Sequence, residues 1–320
     1  MIVNTDKQII STAKAWNLDV LSIRRDMDIS GSPQRSEFRC VVECVDQSPF
    51  VLENIHSGNK DNKQAIIDRL DFLAGQGLSC VNPYIRANDG IHIIQIEGRF
   101  WQISPYVPGV PLDRPGFECD SWRGEALADF LIHLRQKSQT MPDSLRTPPF
   151  FIMDYIDSLT GLIKTREPDL FEKLAPAIAF VQGHLNPVQE SLPTAFCHGD
   201  YHPLNVIWTT KGINAVIDWE FSGTKPEIYD AATLIGCMGM ETPDALAGPL
   251  VMAFINDLQA SGILSDQSWS ALPAFMVAIR FGWLSEWLRN RDQEMIELET
   301  VYMDLLVTHA DELKDVWKIS

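Results

Sequence analysis

The hydrophobic pattern of the chain changes near residues 106–112, where two prolines and a glycine interrupt it. Before this segment, period-two and helical patterns alternate, whereas after it apolar residues recur mostly with helical spacing. The earlier part is predicted to contain a helix near 5–16, strands near 20–27, 37–45 and 50–55, a second helix from about 61, and a hairpin over 91–107. We therefore expect an α+β, bilobal fold, with an antiparallel sheet in a lobe of residues 1–106 and a larger, mainly helical lobe of residues 107–320.

Local signals mark the ends of several predicted elements. Thr5, with Gln8 three residues later, forms a capping box for the first helix. Asp61 is predicted to cap the second helix, and Gly98 marks the turn of the hairpin. Further helices are expected near 122–137, 150–165, 168–190, 227–240, 243–261, 268–290 and 292–316, with short strands at 205–208 and 215–218. The two short strands predict a hairpin embedded in the helical lobe.

Composition excludes some classes of partner. The chain carries 43 acidic and 26 basic residues, a formal net charge of −17. Nucleic acids and anionic membranes select basic surfaces, so neither is expected as a partner, whereas a cationic small molecule is compatible with this charge. No apolar run approaches the ~20 residues of a membrane span, and the N-terminus has no signal pattern. The six scattered cysteines lack zinc-binding spacing and indicate buried thiols in a cytoplasmic protein.

The strongest functional signal is His-Gly-Asp-Tyr-His-Pro-Leu-Asn at 198–205, followed by Ile-Asp-Trp-Glu at 217–220. Asp200 and Asn205 stand five residues apart in a predicted tight loop, and Asp218 ends the next predicted strand. Phosphoryl transfer to a hydroxyl needs a carboxylate at the acceptor, oxygen ligands for Mg²⁺ and a group that holds the donor phosphates. The spacing therefore predicts Asp200 at the acceptor hydroxyl, with Asn205 and Asp218 as ligands of Mg²⁺.

His198 and His202, in the same loop, are further candidates for catalytic residues. Each of them alone fits a polar surface turn, and His202 alone is better explained as a hydrogen-bonding residue that braces the loop. The whole pattern, a loop of this spacing followed by a hairpin and Ile-Asp-Trp-Glu, is hard to obtain by chance. The joint occurrence therefore favours the catalytic interpretation.

Residues 197–207 and 216–220 resemble the signature of the aminoglycoside phosphotransferase and choline kinase-like family. Other segments that resemble the family extend over most of the chain: Leu78–Pro83, Tyr106–Gly109, Ala126–Arg135 and Pro226–Ala232. The resemblance implies a protein kinase-like fold, a nucleoside triphosphate donor (ATP or GTP) and Mg²⁺. It also implies that Asp200 is the catalytic base and that Asn205 and Asp218 are metal ligands.

The third predicted strand departs from the kinase pattern. Small lobes of this type carry a lysine or arginine there, paired with a helix glutamate, whereas this chain has Glu53. Alternation predicts that Glu53 points inward, and a carboxylate ~4 Å from a phosphate oxygen would repel it by about 4 kcal/mol at an effective dielectric of 20. Arg69 or Lys63 of the next helix could hold Glu53 in a swapped ion pair. Alternatively, Arg39 or Arg35 supplies the charge, phosphoryl transfer has been lost, or Glu53 is solvated in a shifted register.

Other nucleotide contacts are predicted in two places. A serine-rich turn with a single glycine is the candidate phosphate-covering loop, with Gly31 and Ser32 as contacts, although an ordinary hairpin turn has the same composition. The base and ribose are expected near residues 102–107, which include Ser104 and Tyr106. Any residue can supply backbone hydrogen bonds to the base, so the sequence does not predict whether adenine or guanine is bound.

The acceptor site is expected beside the C-terminal helices. Trp283 and Trp287 lie four apart on one predicted helix, with Glu286 beside them, which suits a cationic acceptor through cation–π contact. Aromatic residues at this spacing are more often core residues, so the core interpretation is favoured.

These observations together predict Mg²⁺-dependent transfer of the γ-phosphoryl group of ATP or GTP to a hydroxyl of a small metabolite. The acceptor classes considered are an amino alcohol, a sugar, an aminoglycoside and a hydroxy amino acid. The alternative is a catalytically weak nucleotide- or metabolite-binding protein on the same fold, which Glu53 supports. A purely helical interaction protein would leave Asp200, Asn205 and Asp218 unexplained.

Overall fold

The computed structural model describes residues 5–27, 29, 36–45 and 47–319, which form two compact units. The first unit contains the described residues up to Val110 together with Asn214–Glu220. The second contains Pro111–Ile213 and the described residues from Phe221 onward. The chain therefore returns to the first unit at the segment that carries Asp218.

The first unit is a sheet with accompanying helices. Its elements are α1 (Asp6–Ala13), β1 (Val20–Arg24), β2 (Ser36–Cys44), β3 (Gln47–Ile55), α2 (Lys60–Gly75), β4 (Ile94–Ile96) and β5 (Arg99–Pro105). Over the described residues, the five strands lie in the order β1-β2-β3-β5-β4, and each neighbouring pair is antiparallel. The predicted antiparallel sheet is confirmed, with β3 in its centre.

Local sequence signals explain how this unit starts and packs. The side chain of Thr5 accepts a hydrogen bond from the Gln8 N–H at 3.3 Å, so the predicted cap is confirmed. Ile9 of α1 packs with Leu52 and Trp101 of the sheet in one buried apolar core. Burial of such side chains contributes roughly 1.5–3 kcal/mol each, which is enough to hold a short helix against the sheet.

The start of helix α2 differs from the sequence prediction. Helix α2 begins at Lys60 with Asn59 at its N-cap, so the prediction that Asp61 caps it is wrong. Asp61 lies in the first turn instead, where a carboxylate still stabilises the helix through its dipole.

The hairpin between β4 and β5 turns at Glu97 and Gly98, with φ of 52° and 79°. Both angles are in the left-handed region that tight hairpin turns of the I′ type require.

The second unit is mainly helical, as predicted. From residue 111 onward the helices are α3 (Ser121–Ser138), α4 (Ile152–Arg166), α5 (Pro168–His184), α6 (Tyr229–Glu241), α7 (Pro249–Ser261), α8 (Asp266–Asn290), α9 (Gln293–Thr308) and α10 (Ala310–Trp317). The strands of this part of the chain are β6 (Thr194–Cys197), β7 (Val206–Trp208), β8 (Ile213–Val216) and β9 (Gly223–Pro226). No helix of the described residues is both long and apolar enough to cross a bilayer.

Two features of the helical part differ from the sequence expectation. β6 pairs antiparallel with β9, a pairing that was not predicted because each strand is four residues long and shows no clear alternation. The expected single helix over 292–316 is two helices, since α9 ends at Thr308 and α10 starts at Ala310.

Candidate active site

The predicted catalytic loop, residues 198–205, lies in the second unit between β6 and β7. Asp230, near the start of α6, accepts hydrogen bonds from the backbone N–H of His198 at 2.7 Å and of Gly199 at 2.8 Å. Gly199 has a φ of +85°, and an added Cβ would lie 2.2 Å from the carbonyl oxygen of Phe221, so only glycine fits. A buried carboxylate bound by two amides therefore fixes the chain directly before the predicted base.

The loop brings Asp200 and Asn205 together, as their spacing predicts. Asn205 Nδ2 donates to the backbone oxygen of Asp200 at 2.8 Å and to its Oδ2 at 3.0 Å. His202 Nε2 lies 3.6 Å from Asp200 Oδ1 and 3.1 Å from Asn205 Nδ2. Burial alone would raise the pKa of Asp200, but hydrogen bonding and charge from His202 and its neighbours outweigh burial and lower it. The carboxylate is therefore ionised at neutral pH and held in one orientation.

Two other side chains of the loop face the protein interior. His198 is fully buried, and its Nδ1 accepts a hydrogen bond from the Asp200 N–H at 3.2 Å. Tyr201 is also fully buried, and its hydroxyl donates to the carbonyl oxygen of Leu127 at 3.0 Å. These contacts shape the loop from inside, whereas Asp200 and Asn205 stay partly exposed.

In the first unit, Glu53 lies in a row of polar side chains. The antiparallel register places it opposite Arg39 of β2 and Gln102 of β5, so all three share one face of the sheet. Arg39 Nη2 and Nε lie 2.8 and 2.9 Å from Glu53 Oε1, and Gln102 Nε2 donates to Oε2 at 2.6 Å. Ser36 also donates to Oε1. Glu53 is 3% exposed, so the alternative of a solvated residue in a shifted register is wrong.

Helix α2 supplies a second cation to this row. Lys63 Nζ lies 3.9 Å from Glu53 Oε1 and donates a hydrogen bond to Glu220. Burial alone would raise the pKa of Glu53, but the charges of Lys63 and Arg39 lower it overall. The expected polarity is thus swapped, because the carboxylate is on the strand and a cation is on the helix. Arg69 is buried on the same helix, but the ion pairs that the structure gives Glu53 are with Lys63 and Arg39.

The other predicted nucleotide contacts lie at the end of β5 or outside the described residues. Ser104 is half-buried on β5. Tyr106 follows β5, and its N–H already donates to the carbonyl oxygen of Pro49 at 2.9 Å. That amide is therefore engaged by the protein itself. Three predicted residues fall outside the described part of the chain: Gly31, Ser32 and Arg35.

The residues predicted for Mg²⁺ supply oxygen ligands. Asp218 has a φ of 63°, a left-handed conformation that is uncommon for a non-glycine residue and concentrates at functional sites. Asn205 uses its amide nitrogen to bind Asp200, so its amide oxygen is the atom that could bind a metal ion. One carboxylate and one amide oxygen fit Mg²⁺, which takes few protein ligands and keeps several waters. Within the described residues, no group of three or more His, Cys, Asp or Glu side chains is placed to hold a metal ion.

Trp283 and Trp287 lie on α8 with stacked rings whose centroids are 6.2 Å apart. Both are only half-buried, so the favoured interpretation as core residues is wrong. The ring of Trp283 lies 6.1 Å from that of His202 in the catalytic loop. Trp287 Nε1 donates to Glu299 at 3.3 Å, and Glu299 pairs with Arg280 in a buried ion pair that no sequence pattern indicated. The two tryptophans form a partly open aromatic surface beside the loop.

Known proteins match this chain over most of its length. Residues 34–263 match the model of the phosphotransferase enzyme family. Homoserine kinase of Xanthobacter autotrophicus is 23% identical over 261 residues, which cover 77% of this chain and 78% of that protein. Homoserine kinase of Acidiphilium cryptum is 27% identical over 263 residues, with coverage of 78% and 74%.

Solved structures show the same fold at low identity. A microcompartment-associated aminopropanol kinase has a TM-score of 0.70 at 15% identity and covers 98% of this chain and 99% of its own. The GDP complex of aminoglycoside 2′-phosphotransferase-IIIa has a TM-score of 0.69 at 16% identity, with coverage of 97% and 100%. The fold is therefore protein kinase-like, with an antiparallel sheet in the N-terminal part and a mainly helical C-terminal part. The chain belongs to the phosphotransferase enzyme family and is a small-molecule kinase with an alcohol group as acceptor.

Proposed function

We propose that the protein transfers the γ-phosphoryl group of ATP or GTP, with Mg²⁺, to a hydroxyl of an amino alcohol, sugar, aminoglycoside or hydroxy amino acid. The observation that carries this proposal is the Asp200 carboxylate, oriented by Asn205 and His202. The names of two similar proteins, homoserine kinase and aminopropanol kinase, support an acceptor that has both a hydroxyl and an amino group.

The proposed step uses Asp200 as the proton acceptor. The acceptor oxygen attacks the γ-phosphorus, the bond to the β–γ bridging oxygen breaks, and the nucleoside diphosphate leaves. Asp200 takes the hydroxyl proton at Oδ1, because Asn205 binds Oδ2. Asn205 and Asp218 would hold Mg²⁺, which when bound supplies positive charge to the donor phosphates.

We assign the phosphate-facing cation to Arg39. Its side chain is 28% exposed while it pairs with Glu53, whereas the side chain of Lys63 is 2% exposed and is shared between Glu53 and Glu220. Arg39 therefore has the room to contact a phosphate. The repulsion of about 4 kcal/mol expected from an unpaired carboxylate is offset, because Glu53 is neutralised by the two cations.

We place the nucleotide base at the end of β5, near Ser104 and Tyr106. The Tyr106 N–H is bound to Pro49, so the contacts there would come from carbonyl oxygens and from side chains. Competition between ATP and GTP in the kinase assay measures which base this segment prefers.

One observation favours a second candidate, a catalytically weak nucleotide- or metabolite-binding protein. Arg39 and Lys63 carry two positive charges, and Glu53 and Glu220 carry two negative charges, so this row has no net positive charge for phosphates. The ordered Asp200 carboxylate favours the catalytic proposal, since binding alone does not need it.

Acceptor phosphorylation with ATP and GTP, across a panel of the four acceptor classes, tests the proposal. Asp200→Asn keeps the side-chain shape but removes the proton acceptor, and it should lower kcat by about 10²–10⁴. Asp304→Asn, at an exposed position of α9, is the matched control and should leave kcat unchanged. Equal activity of Asp200→Asn and the wild type would contradict the mechanism. Nucleotide binding without turnover in the wild type would favour the second candidate.

A further inference from the structure

Lys225 is a buried cation beside the catalytic loop that the proposed step does not use. It lies on β9 and is 8% exposed. Its Nζ is 4.5 Å from the ring centroid of Phe150 and 4.8 Å from that of Tyr229. Across the described part of the chain, no hydrogen-bond acceptor or carboxylate pairs with this ammonium. Two aromatic rings are thus its immediate surroundings.

The position of Lys225 connects it to the predicted base. A Cβ added at Gly199 would lie 2.8 Å from Lys225 Cε, so the lysine passes directly against the residue before Asp200. Burial raises the pKa of Tyr229, and the charges of Asp230 and Asp200 raise it further, which places Tyr229 within electrostatic reach of both carboxylates. Lys225 therefore lies against the backbone directly before Asp200, with the ring of Tyr229 beside its ammonium.

A buried ammonium without a carboxylate partner is costly. Burial lowers the pKa of Lys225, and nearby Cys197 and Asp230 offset only part of this effect. Asp230 already accepts the two backbone hydrogen bonds that hold the loop. Contact with aromatic faces compensates an ammonium only partly. An anion bound beside Lys225 would complete the environment of this ammonium.

We propose that Lys225 binds the carboxylate of the acceptor, so that the substrate class is a hydroxy amino acid rather than an amino alcohol, sugar or aminoglycoside. The inference rests on the proposed function and assigns the acceptor of that same site. A carboxylate suits a lone ammonium between two rings, whereas a phosphate group, with a larger charge, is usually bound by several donors. The half-buried tryptophans of α8 lie beside His202 of the same loop and would offer ring faces to the amino group of such an acceptor.

The test compares acceptor pairs that differ only in the carboxylate: homoserine with 3-aminopropan-1-ol, and serine with ethanolamine. The wild type should phosphorylate the carboxylate-bearing member with a kcat/KM at least about 10-fold higher. Lys225→Met should raise KM for that member by about 10- to 100-fold and bring the two members of each pair close together, as expected for a lost charged hydrogen bond. Lys225→Arg should restore part of the preference. Lys211→Met, at an exposed turn position, is the control and should keep the wild-type preference.

The outcomes separate this inference from the proposed function. If the wild type prefers the amino alcohols, or Lys225→Met weakens both members of a pair equally, the carboxylate assignment is wrong while kinase activity stands. If the wild type phosphorylates no acceptor of the panel, the proposed function fails and this inference fails with it. Should Lys225→Met not fold, the wild-type preference within each pair still decides.

Discussion

Glu53→Gln tests whether the buried charge row of the first unit is a matched network. Glu53 Oε1 lies 2.8 Å from Arg39 Nη2 and 3.9 Å from Lys63 Nζ, while Oε2 accepts from Gln102 at 2.6 Å. Glutamine has nearly the same shape but no charge. Its amide nitrogen would place N–H donors against the Gln102 amide or against the guanidinium of Arg39. The change therefore removes the carboxylate that both Arg39 and Lys63 contact, while Glu220 still pairs with the buried Lys63.

The magnitude follows from these distances. At an effective dielectric of 20, the attractions across 2.8 and 3.9 Å are worth about 6 and about 4 kcal/mol. Glutamine avoids the desolvation of a carboxylate, which is worth several kcal/mol and reduces the net loss. Breaking a buried pair on one side typically costs about 3–5 kcal/mol of unfolding free energy. For a chain of 320 residues, that corresponds to a Tm lowered by about 4–8 °C.

Thermal and urea unfolding, with and without nucleotide, measure this effect. Glu37→Gln is the matched control on the same sheet, because its side chain is 40% exposed and it should change stability by about 0.5 kcal/mol or less. The folded-state pKa of Glu53 is lowered, so its contribution is complete above its usual value of 4.5 and is lost as pH falls through the lower folded value. The difference between wild type and Glu53→Gln should therefore shrink in acid. Equal Tm values at pH 7 would refute the reasoning.

Two further substitutions probe the second unit. Gly199→Ala should abolish most kinase activity and lower Tm, because Gly199 has a φ of +85° and the added Cβ would lie 2.2 Å from the carbonyl oxygen of Phe221. Kinase assays and thermal unfolding measure the two effects. Normal activity of this variant would contradict the loop geometry. Trp283→Ala should raise KM for an amino-group acceptor by about 2- to 30-fold while leaving KM for the nucleotide unchanged, since a cation–π contact is worth about 0.5–2 kcal/mol. Trp283→Phe, which keeps an aromatic face, should retain most of the affinity, and a raised nucleotide KM would show that this surface does not serve the acceptor.

The contact between Asp200 and Asn205 could be predicted because the two residues are close in sequence. Asp200 and Asn205 are five residues apart, and a tight loop of that length has few ways to arrange them. The burial of Glu53 was predictable for a similar reason, since alternation along a strand fixes which residues face inward. In each case the local backbone geometry decides where the side chain lies.

What the sequence did not reveal depends on residues that are far apart in the chain. The pairing of β6 with β9 joins short segments with no periodic signal. The choice of Lys63 and Arg39 as partners of Glu53 depends on strand register and on the rotation of α2. Trp283 was predicted to be a core residue because aromatic residues at helical spacing usually lie in the core. Its half-buried position depends on how α8 packs against the rest of the second unit.

The swapped polarity of the charge row also constrains how such a site can evolve. Glu53→Lys alone, which restores the usual strand cation, would place a third cation beside Arg39 and Lys63 and remove the carboxylate that both of them contact. Lys63→Glu alone would do the reverse, leaving three carboxylates with only Arg39. Each single substitution is expected to destabilise the protein strongly. Exchanging the strand carboxylate and the helix cation therefore requires both substitutions together.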